Sequence, residues 1–91
     1  MPRPADNEQI VAAAIRLYPA TVTMVPPARH CHILEQLRNH GVMVDDPRAQ
    51  GFITSSGEFV DRKTAKRVAR RAGQLLPSAS VNQELFSEDL W

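Results

Sequence analysis

The sequence predicts a small α+β domain in which an antiparallel sheet of two hairpins is packed by two short helices. Two segments alternate apolar and polar residues, two others repeat apolar residues every three to four positions, and prolines or glycines separate them. The chain has 91 residues, 43% of them hydrophobic and 23% charged, so a single domain is expected over residues 1–91. This composition argues against a wholly disordered chain, and no apolar run approaches the roughly 20 residues of a membrane span.

The first hairpin is predicted over residues 10–17 and 21–25, after a polar segment, residues 1–8, that we expect to fray. Residues 21–25 are alternating and rich in β-branched side chains, which is typical of a strand. Residues 10–17 are ambiguous, because three consecutive alanines suit a helix starting near Asp6, whereas their alternation suits a strand. The break at Pro19 and the clear strand beyond it favour a hairpin.

The first helix is predicted over residues 28–40, between a pair of prolines and Gly41, which suits a left-handed C-terminal cap. Its apolar residues recur at short helical spacings and form one stripe: Cys31, Ile33, Leu34 and Leu37. A cysteine on such a stripe is more often a core residue than a reactive thiol, so Cys31 is expected in the core. The apolar run 42–44 that follows is interpreted as either a short strand or loop packing.

The second hairpin is predicted over residues 51–54 and 58–60, with Gly57 supplying the positive φ of a tight turn. The hairpin has a phenylalanine on each arm, and such residues are more often core. Phe52 follows a glycine that allows close backbone approach, so its ring is also a candidate stacking face for a base. Nearby polar side chains offer hydrogen bonds to the edge of such a base: Gln50 and Thr54.

The second helix is predicted to begin after an Asp61 cap and to run to about Ala72, with Gly73 closing it. Its apolar stripe is formed by Ala65, Val68, Ala69 and Ala72. Six of the eleven lysines and arginines fall within residues 62–71, although the whole chain carries a net charge of only +1. The cationic face is either a solvated surface or a contact for a nucleic-acid backbone, and for the second the expected residues are Lys66, Arg67, Arg70 and Arg71.

The start of the first helix is a candidate anion site. Arg29 and His30 stand at the first turn, where free N–H groups and the helix dipole favour an anion and a planar guanidinium suits a phosphate. The alternatives are that both are ordinary surface residues or that a histidine faces the core. His30 and His32 point in different directions on a helix and Cys31 is the only cysteine, so no metal site, catalytic constellation or cofactor is expected.

A longer pattern extends over roughly residues 26–91. It comprises the Arg29-His30 pair, the string QGFITSSGEFVDR at 50–62, a helix ending Gly-Gln, and the closing LFSEDLW at 85–91. In this pattern the chain resembles small phage and prophage proteins and is similar to the phage anti-Thoeris sponges. That resemblance implies a protein that is not an enzyme and that sequesters a cyclic nucleotide signal, of the cyclic ADP-ribose type or a cyclic oligonucleotide, in the host cytoplasm. Arg29, His30, Phe52 and Arg62 match the pattern at positions suited to an arginine–aromatic pocket, which Gln50 and Thr54 would complete.

Two other classes of function stay open on the sequence. One is a phage inhibitor that contacts a host defence protein directly, such as an anti-CRISPR. The other is a nucleic-acid-binding protein that uses its basic helix. No membrane partner is expected from the composition.

The segment 81–91, called the tail below, is apolar and acidic and is expected to take part in assembly. The last seven residues of the tail include four large apolar ones, which would lower solubility if exposed, so we expect a surface to cover them. We expect Leu85 and Phe86 to dock on their own domain. Trp91 would anchor a homodimer or a higher closed oligomer, with Phe86 bordering that interface. The acidic Glu88 and Asp89 are expected near the cationic helix.

Overall fold

The computed structural model describes residues 8–91 and contains a four-stranded antiparallel sheet with two helices packed on it. The strands are β1 (Ile10–Leu17), β2 (Ala20–Thr23), β3 (Gln50–Thr54) and β4 (Phe59–Asp61), and the helices are α1 (His30–Asn39) and α2 (Arg62–Arg71). The strand order is β2-β1-β3-β4, so the two hairpins meet where β1 pairs with β3. The predicted α+β fold of two hairpins and two helices is confirmed.

The β1 strand settles the ambiguity of residues 10–17. Ala14 opposes Thr23 of β2 on one side and Gly51 of β3 on the other, so β1 is a central strand. A Cβ atom built on Gly51 would collide with the Phe59 ring and the Val60 carbonyl. The close approach that Gly51 allows is therefore used by this chain's own Phe59.

The face of the sheet opposite Phe59 packs against both helices and forms the core. Ala13 opposes Phe52 across the central strand pair, which places both side chains on this face. The buried cluster joins both helices, the sheet and the tail: Ile10, Ala13, Ile15, Ile33, Phe52, Ala65, Val68, Ala69 and Leu85. Phe52 has no exposed surface, so its ring is a core side chain and offers no open face to a base.

The α1 helix buries a different set of side chains from the predicted stripe. Ile33 is buried and Leu34 and Leu37 pack against the core as predicted, but Cys31 is exposed, so its assignment to the core is wrong. His30 is buried instead. The reason is geometric, because residues three and seven positions apart share one side of a helix, whereas a residue one position on lies about 100° around it.

The element ends fall close to their predicted positions, although β2 stops at Thr23 rather than residue 25. Residues 42–44 form a loop, which is one of the two alternatives that the sequence left open. Gly57 has a φ of 87°, as the predicted tight turn requires. The predicted fraying of residues 1–8 concerns residues outside the described part of the chain, except Glu8.

The start of α2 confirms the predicted cap. The Thr64 backbone N–H donates to Asp61 Oδ1 over 2.7 Å. This hydrogen bond holds the pKa of Asp61 below its ordinary value. The cap orients the first turn of α2, on which Arg62 and Lys63 lie.

The tail packs on α2 of its own chain. Leu85 is fully buried, and its N–H donates to the Arg62 carbonyl over 3.0 Å, so its predicted docking is confirmed. Lys66 was predicted on the solvated face but is only 1% exposed, and its Nζ lies 3.3 Å from Asp89 Oδ2. The tail covers Lys66, which lies at the edge of the apolar stripe, so its assignment to a nucleic-acid surface is wrong.

Candidate functional site

A cleft of about 660 Å³ lies where β3 begins and α2 starts. We call it the large cleft, and its lining residues are Pro47, Arg48, Gln50, Asp61, Arg62, Lys63 and Glu84. Its volume falls within the roughly 300–1,000 Å³ of small-molecule sites in proteins. Three cationic side chains and two acidic ones line the large cleft. Because Arg48 is already paired with Asp46, Arg62 and Lys63 are the cations that an anionic ligand would meet.

Arg62 is the half-buried cation of the large cleft, and the fold holds its guanidinium in place. One terminal nitrogen donates to the Gln50 side-chain oxygen, and the guanidinium carbon lies 5.2 Å from the centre of the Phe86 ring. Its Nε is buried and has no hydrogen-bond partner among residues 8–91. Such donors are uncommon, and one beside a cleft is a position where a ligand or water oxygen would be stabilised.

A smaller cleft of about 210 Å³ adjoins the large one and shares two residues with it, Gln50 and Arg62. Its other lining residues come from α1 and the tail: His30, Cys31, Leu34, Phe86, Ser87 and Glu88. The Gln50–Arg62 pair therefore lies at the boundary of both clefts. A ligand entering either cleft meets the same guanidinium.

His30 forms the buried side of the small cleft. Its Nε2 lies 2.6 Å from the Gly51 carbonyl oxygen, and since a carbonyl only accepts, this nitrogen carries the proton. Burial lowers the pKa of His30 below its ordinary value, the Gly51 carbonyl opposes that shift, and the positive charge of Arg62 adds to it. His30 is therefore expected to be neutral at pH 7.

The buried state of His30 predicts a pH-dependent stability. The pKa of His30 in the folded chain lies below the unfolded value of about 6.5. Below that pH the unfolded chain therefore binds more protons than the folded chain does. The free energy of unfolding should be constant above about pH 7 and fall below pH 6.5, by at most about 1.4 kcal/mol per pH unit. Urea unfolding between pH 7.5 and 5.5 measures this slope. His30→Gln should flatten it and the exposed His40→Gln should retain it; equal slopes in both variants would contradict the assignment.

One protein family matches this chain over most of its length. A family model described as phage T4 y16D protein matches residues 9–91, which is most of the chain. The chain belongs to the phage T4 y16D protein family. The predicted likeness to small phage proteins is thereby confirmed, while the likeness to anti-Thoeris sponges stays a prediction. No match was found among the curated proteins or among the solved structures.

In this y16D-family protein, three of the six predicted ligand residues come together at the clefts: Gln50, Arg62 and His30. Phe52 lies in the core beside His30, with ring centroids 4.9 Å apart in an edge-to-face arrangement. Thr54, at the far end of β3, is buried and donates to the Glu8 carboxylate over 3.1 Å. It lines none of the three clefts described in this section.

Arg29 and His32 serve the start of α1 rather than a cleft. The Arg29 guanidinium donates to the Trp91 carbonyl, and the Arg29 backbone N–H donates to His32 Nδ1 over 2.8 Å. The Trp91 indole N–H in turn lies 3.3 Å from the Ala28 carbonyl. At this turn, where the sequence predicts an anion site, the Arg29 guanidinium contacts the tail of the y16D-family fold instead. Trp91 is half-buried against its own chain.

A third cleft of about 300 Å³, which we call the helix cleft, runs along α2. Its lining residues are Lys63, Lys66, Arg67, Arg70 and Gln83. Arg67 and Arg70 are exposed, as the nucleic-acid alternative predicted, and Arg71 is exposed as well but does not line this cleft. Only Lys66 of the predicted set is withdrawn from the surface.

Sequence reasoning missed five site residues of the large cleft: Pro47, Arg48, Asp61, Lys63 and Glu84. Asp61 was predicted only as a helix cap. Lys63 had a signal, since it follows the Asp61 cap directly beside Arg62. Arg48 and Glu84 reach the cleft from loops distant in sequence, and no local pattern marks them. Arg48 also lies 3.1 Å from Asp46, an exposed pair that leaves its charge largely screened by solvent.

Two features are absent from residues 8–91 of this y16D-family chain. No group of three or more histidine, cysteine, aspartate or glutamate side chains is placed to hold a metal ion. Neither helix has the length and apolarity needed to cross a bilayer.

Proposed function

We propose that this phage-family protein inhibits bacterial immunity by binding a cyclic nucleotide signal in the large cleft and holding it uncleaved. The signal would be of the cyclic ADP-ribose type or a cyclic oligonucleotide, captured in the cytoplasm of the host. The observation that carries the proposal is the anchored Arg62 guanidinium at the boundary of two clefts, one of which has the volume of a nucleotide site.

Arg62 supports the proposal because its geometry is fixed before a ligand arrives. Gln50 holds one terminal nitrogen and Phe86 lies beside the guanidinium, so little side-chain entropy is lost on binding. A planar guanidinium pairs with a phosphate through two parallel hydrogen bonds. Lys63 is exposed on the same cleft and would add a second charge-assisted contact.

The nucleoside part of such a ligand has matching groups in the large cleft. The Gln50 side-chain NH2 group can donate to a base edge, in line with the hydrogen bonds predicted for this residue, while its oxygen accepts from Arg62. The Pro47 ring offers apolar surface in the same cleft. Phe52 is not part of this proposal, because its ring is fully buried.

The proposal predicts that the full chain binds cyclic ADP-ribose isomers or cyclic oligonucleotides at micromolar concentrations, and that heating releases the ligand intact. Arg62→Gln should weaken binding by about tenfold or more, since one charge-assisted hydrogen bond is worth about 1.5–3 kcal/mol. Calorimetric titration measures the affinity, and mass spectrometry of the heated supernatant identifies the ligand.

The matched control is Arg38→Gln, which removes the same charge from an exposed position on α1 and should leave the affinity unchanged. Circular dichroism should show that both variants keep the wild-type fold. Absence of binding to every probe would refute the proposal. Recovery of a cleaved product instead of the intact probe would refute sequestration and indicate an enzyme.

A further inference from the structure

The large cleft and the helix cleft adjoin each other, and this arrangement bears on the ligand's chemistry. Lys63 lines both clefts, and the neighbouring residues Gln83 and Glu84 line one cleft each. The two clefts therefore follow one side of α2 and share a cationic side chain where they meet. The clefts hold about 660 and 300 Å³ respectively, so each can hold part of a larger ligand.

The helix cleft is the more strongly cationic of the two. Lys63, Arg67 and Arg70 are spaced four and three residues apart, which places them on one side of α2. All three are exposed, and no acidic residue occurs between positions 62 and 71. The charge of Lys66 is already balanced by buried Asp89, which leaves the three exposed cations as the groups that a ligand would meet.

The length of this cationic row sets the size of the anion that it fits. Lys63 and Arg70 are seven residues apart, about 10.5 Å along a helix that rises 1.5 Å per residue. A pyrophosphate has two phosphates that share an oxygen, so it is too compact to reach both ends of the row. Two phosphates separated by a sugar are spaced more widely and can contact both clefts at once.

We propose, resting on the function proposed above, that the ligand carries at least two phosphates separated by a sugar. One would bind at Arg62 and Lys63, and the other at Arg67 and Arg70 in the helix cleft. This selects the dinucleotide class over nucleotides whose phosphates are adjacent. Of the two signals proposed above it favours the cyclic oligonucleotide over the cyclic ADP-ribose type, whose two phosphates share an oxygen. Contacts in the helix cleft strengthen the binding of a dinucleotide, whereas a mononucleotide is too short to reach them.

The test is calorimetric titration of the full chain with four adenine probes: AMP, ADP, cyclic di-AMP and linear 5′-phosphorylated diadenylate. Cyclic di-AMP or the linear form should bind about tenfold tighter than AMP or ADP, the gain expected of one further charge-assisted contact. A preference for the cyclic form supports both this inference and the function proposed above. A preference for the linear form supports the spacing of the two phosphates but contradicts a cyclic signal as the ligand.

The double variant Arg67→Gln/Arg70→Gln should bring the ratio of dinucleotide to mononucleotide affinity close to one. The control Arg16→Gln/Arg38→Gln removes the same charge from exposed positions on β1 and α1 and should keep the ratio. Equal affinity for all four probes in the wild type would overturn this inference while the proposed function stands. Failure of every probe, together with the other cyclic nucleotides above, would overturn both. Much tighter binding of a 20-nucleotide strand than of any dinucleotide would overturn it in favour of a nucleic-acid surface.

Discussion

Lys66→Met should lower the free energy of unfolding by about 3–5 kcal/mol, because it leaves Asp89 as a buried charge without its cationic partner. Lys66 is 1% exposed and Asp89 is 4% exposed. The Lys66 ammonium donates to Asp89 Oδ2 over 3.3 Å and to the Ser80 carbonyl over 2.8 Å. For a domain of this size the loss corresponds to a fall in Tm of at least about 12 °C. Urea unfolding and a thermal melt measure the two quantities.

The matched control is Lys63→Met, the same change one turn earlier on α2 at an exposed position, which should cost less than about 0.5 kcal/mol. The double variant Lys66→Met/Asp89→Asn should recover part of the loss, because the buried charge is removed. It should not recover all of it, since Asp89 also accepts from the N–H groups of Ser80 and Phe86. A cost for Lys66→Met equal to that of Lys63→Met would show that the pair does not hold the tail.

The stability that the Lys66–Asp89 pair contributes decreases in acid. Burial alone would raise the pKa of Asp89, but hydrogen bonds from Phe86, Ser80 and Lys66 outweigh it and hold the pKa below its ordinary value. The stability that Asp89 contributes is thus present above about pH 4 and lost as the pH falls through the lower folded pKa. The His30 effect falls between neutrality and the carboxyl range, so the two can be separated by pH.

The fold could be predicted where the apolar pattern of a segment matches the side chains that the structure buries. The stripe Ala65, Val68 and Ala69 has one face in the core, so its period appears in the sequence. β1 was ambiguous because it is covered on both sides, by the helices on one face and in part by Phe59 on the other, and residues 12–14 are all buried. A strand buried on both faces carries apolar residues on both, so it can contain a run such as the three alanines 12–14, which also suits a helix.

The candidate site was predictable only where its residues are close in the chain. Gln50 and Arg62 are joined by one hairpin, so their proximity follows from the predicted topology. The partners of Arg29 and Lys66 lie 62 and 23 positions away in the tail, and no periodicity records contacts at such separations. Arg29 and Lys66 were predicted to bind a ligand, but the tail binds both and they stabilise the fold instead. Arg67 and Arg70 are exposed, as predicted.

Deletion of residues 85–91 should abolish cooperative unfolding. Leu85 is fully buried, and its loss alone compares with a large-to-small core change of about 2–5 kcal/mol. The deletion also removes Asp89 and the cover over Lys66, so this ion pair is lost and the core surface under the tail becomes exposed to water. Added to the loss of Leu85, these losses reach the roughly 5 kcal/mol at the lower end of the stability that is usual for a domain. Circular dichroism against temperature should show no sigmoidal transition.

Because the deletion is expected to unfold the chain, Trp91→Ala is the variant that tests the predicted role of the tail in assembly. Trp91 is half-buried on its own chain through the Ala28 carbonyl and Arg29, so its loss should leave the fold intact. If Trp91 also anchors a partner copy, light scattering should give a dimer or higher mass for the wild type and a monomer mass for Trp91→Ala. Phe86→Leu, which keeps an apolar side chain beside Arg62, should lower the oligomer mass only if Phe86 borders the same interface. A wild-type monomer, or an unchanged oligomer mass in a folded Trp91→Ala variant, would show that Trp91 serves only its own domain.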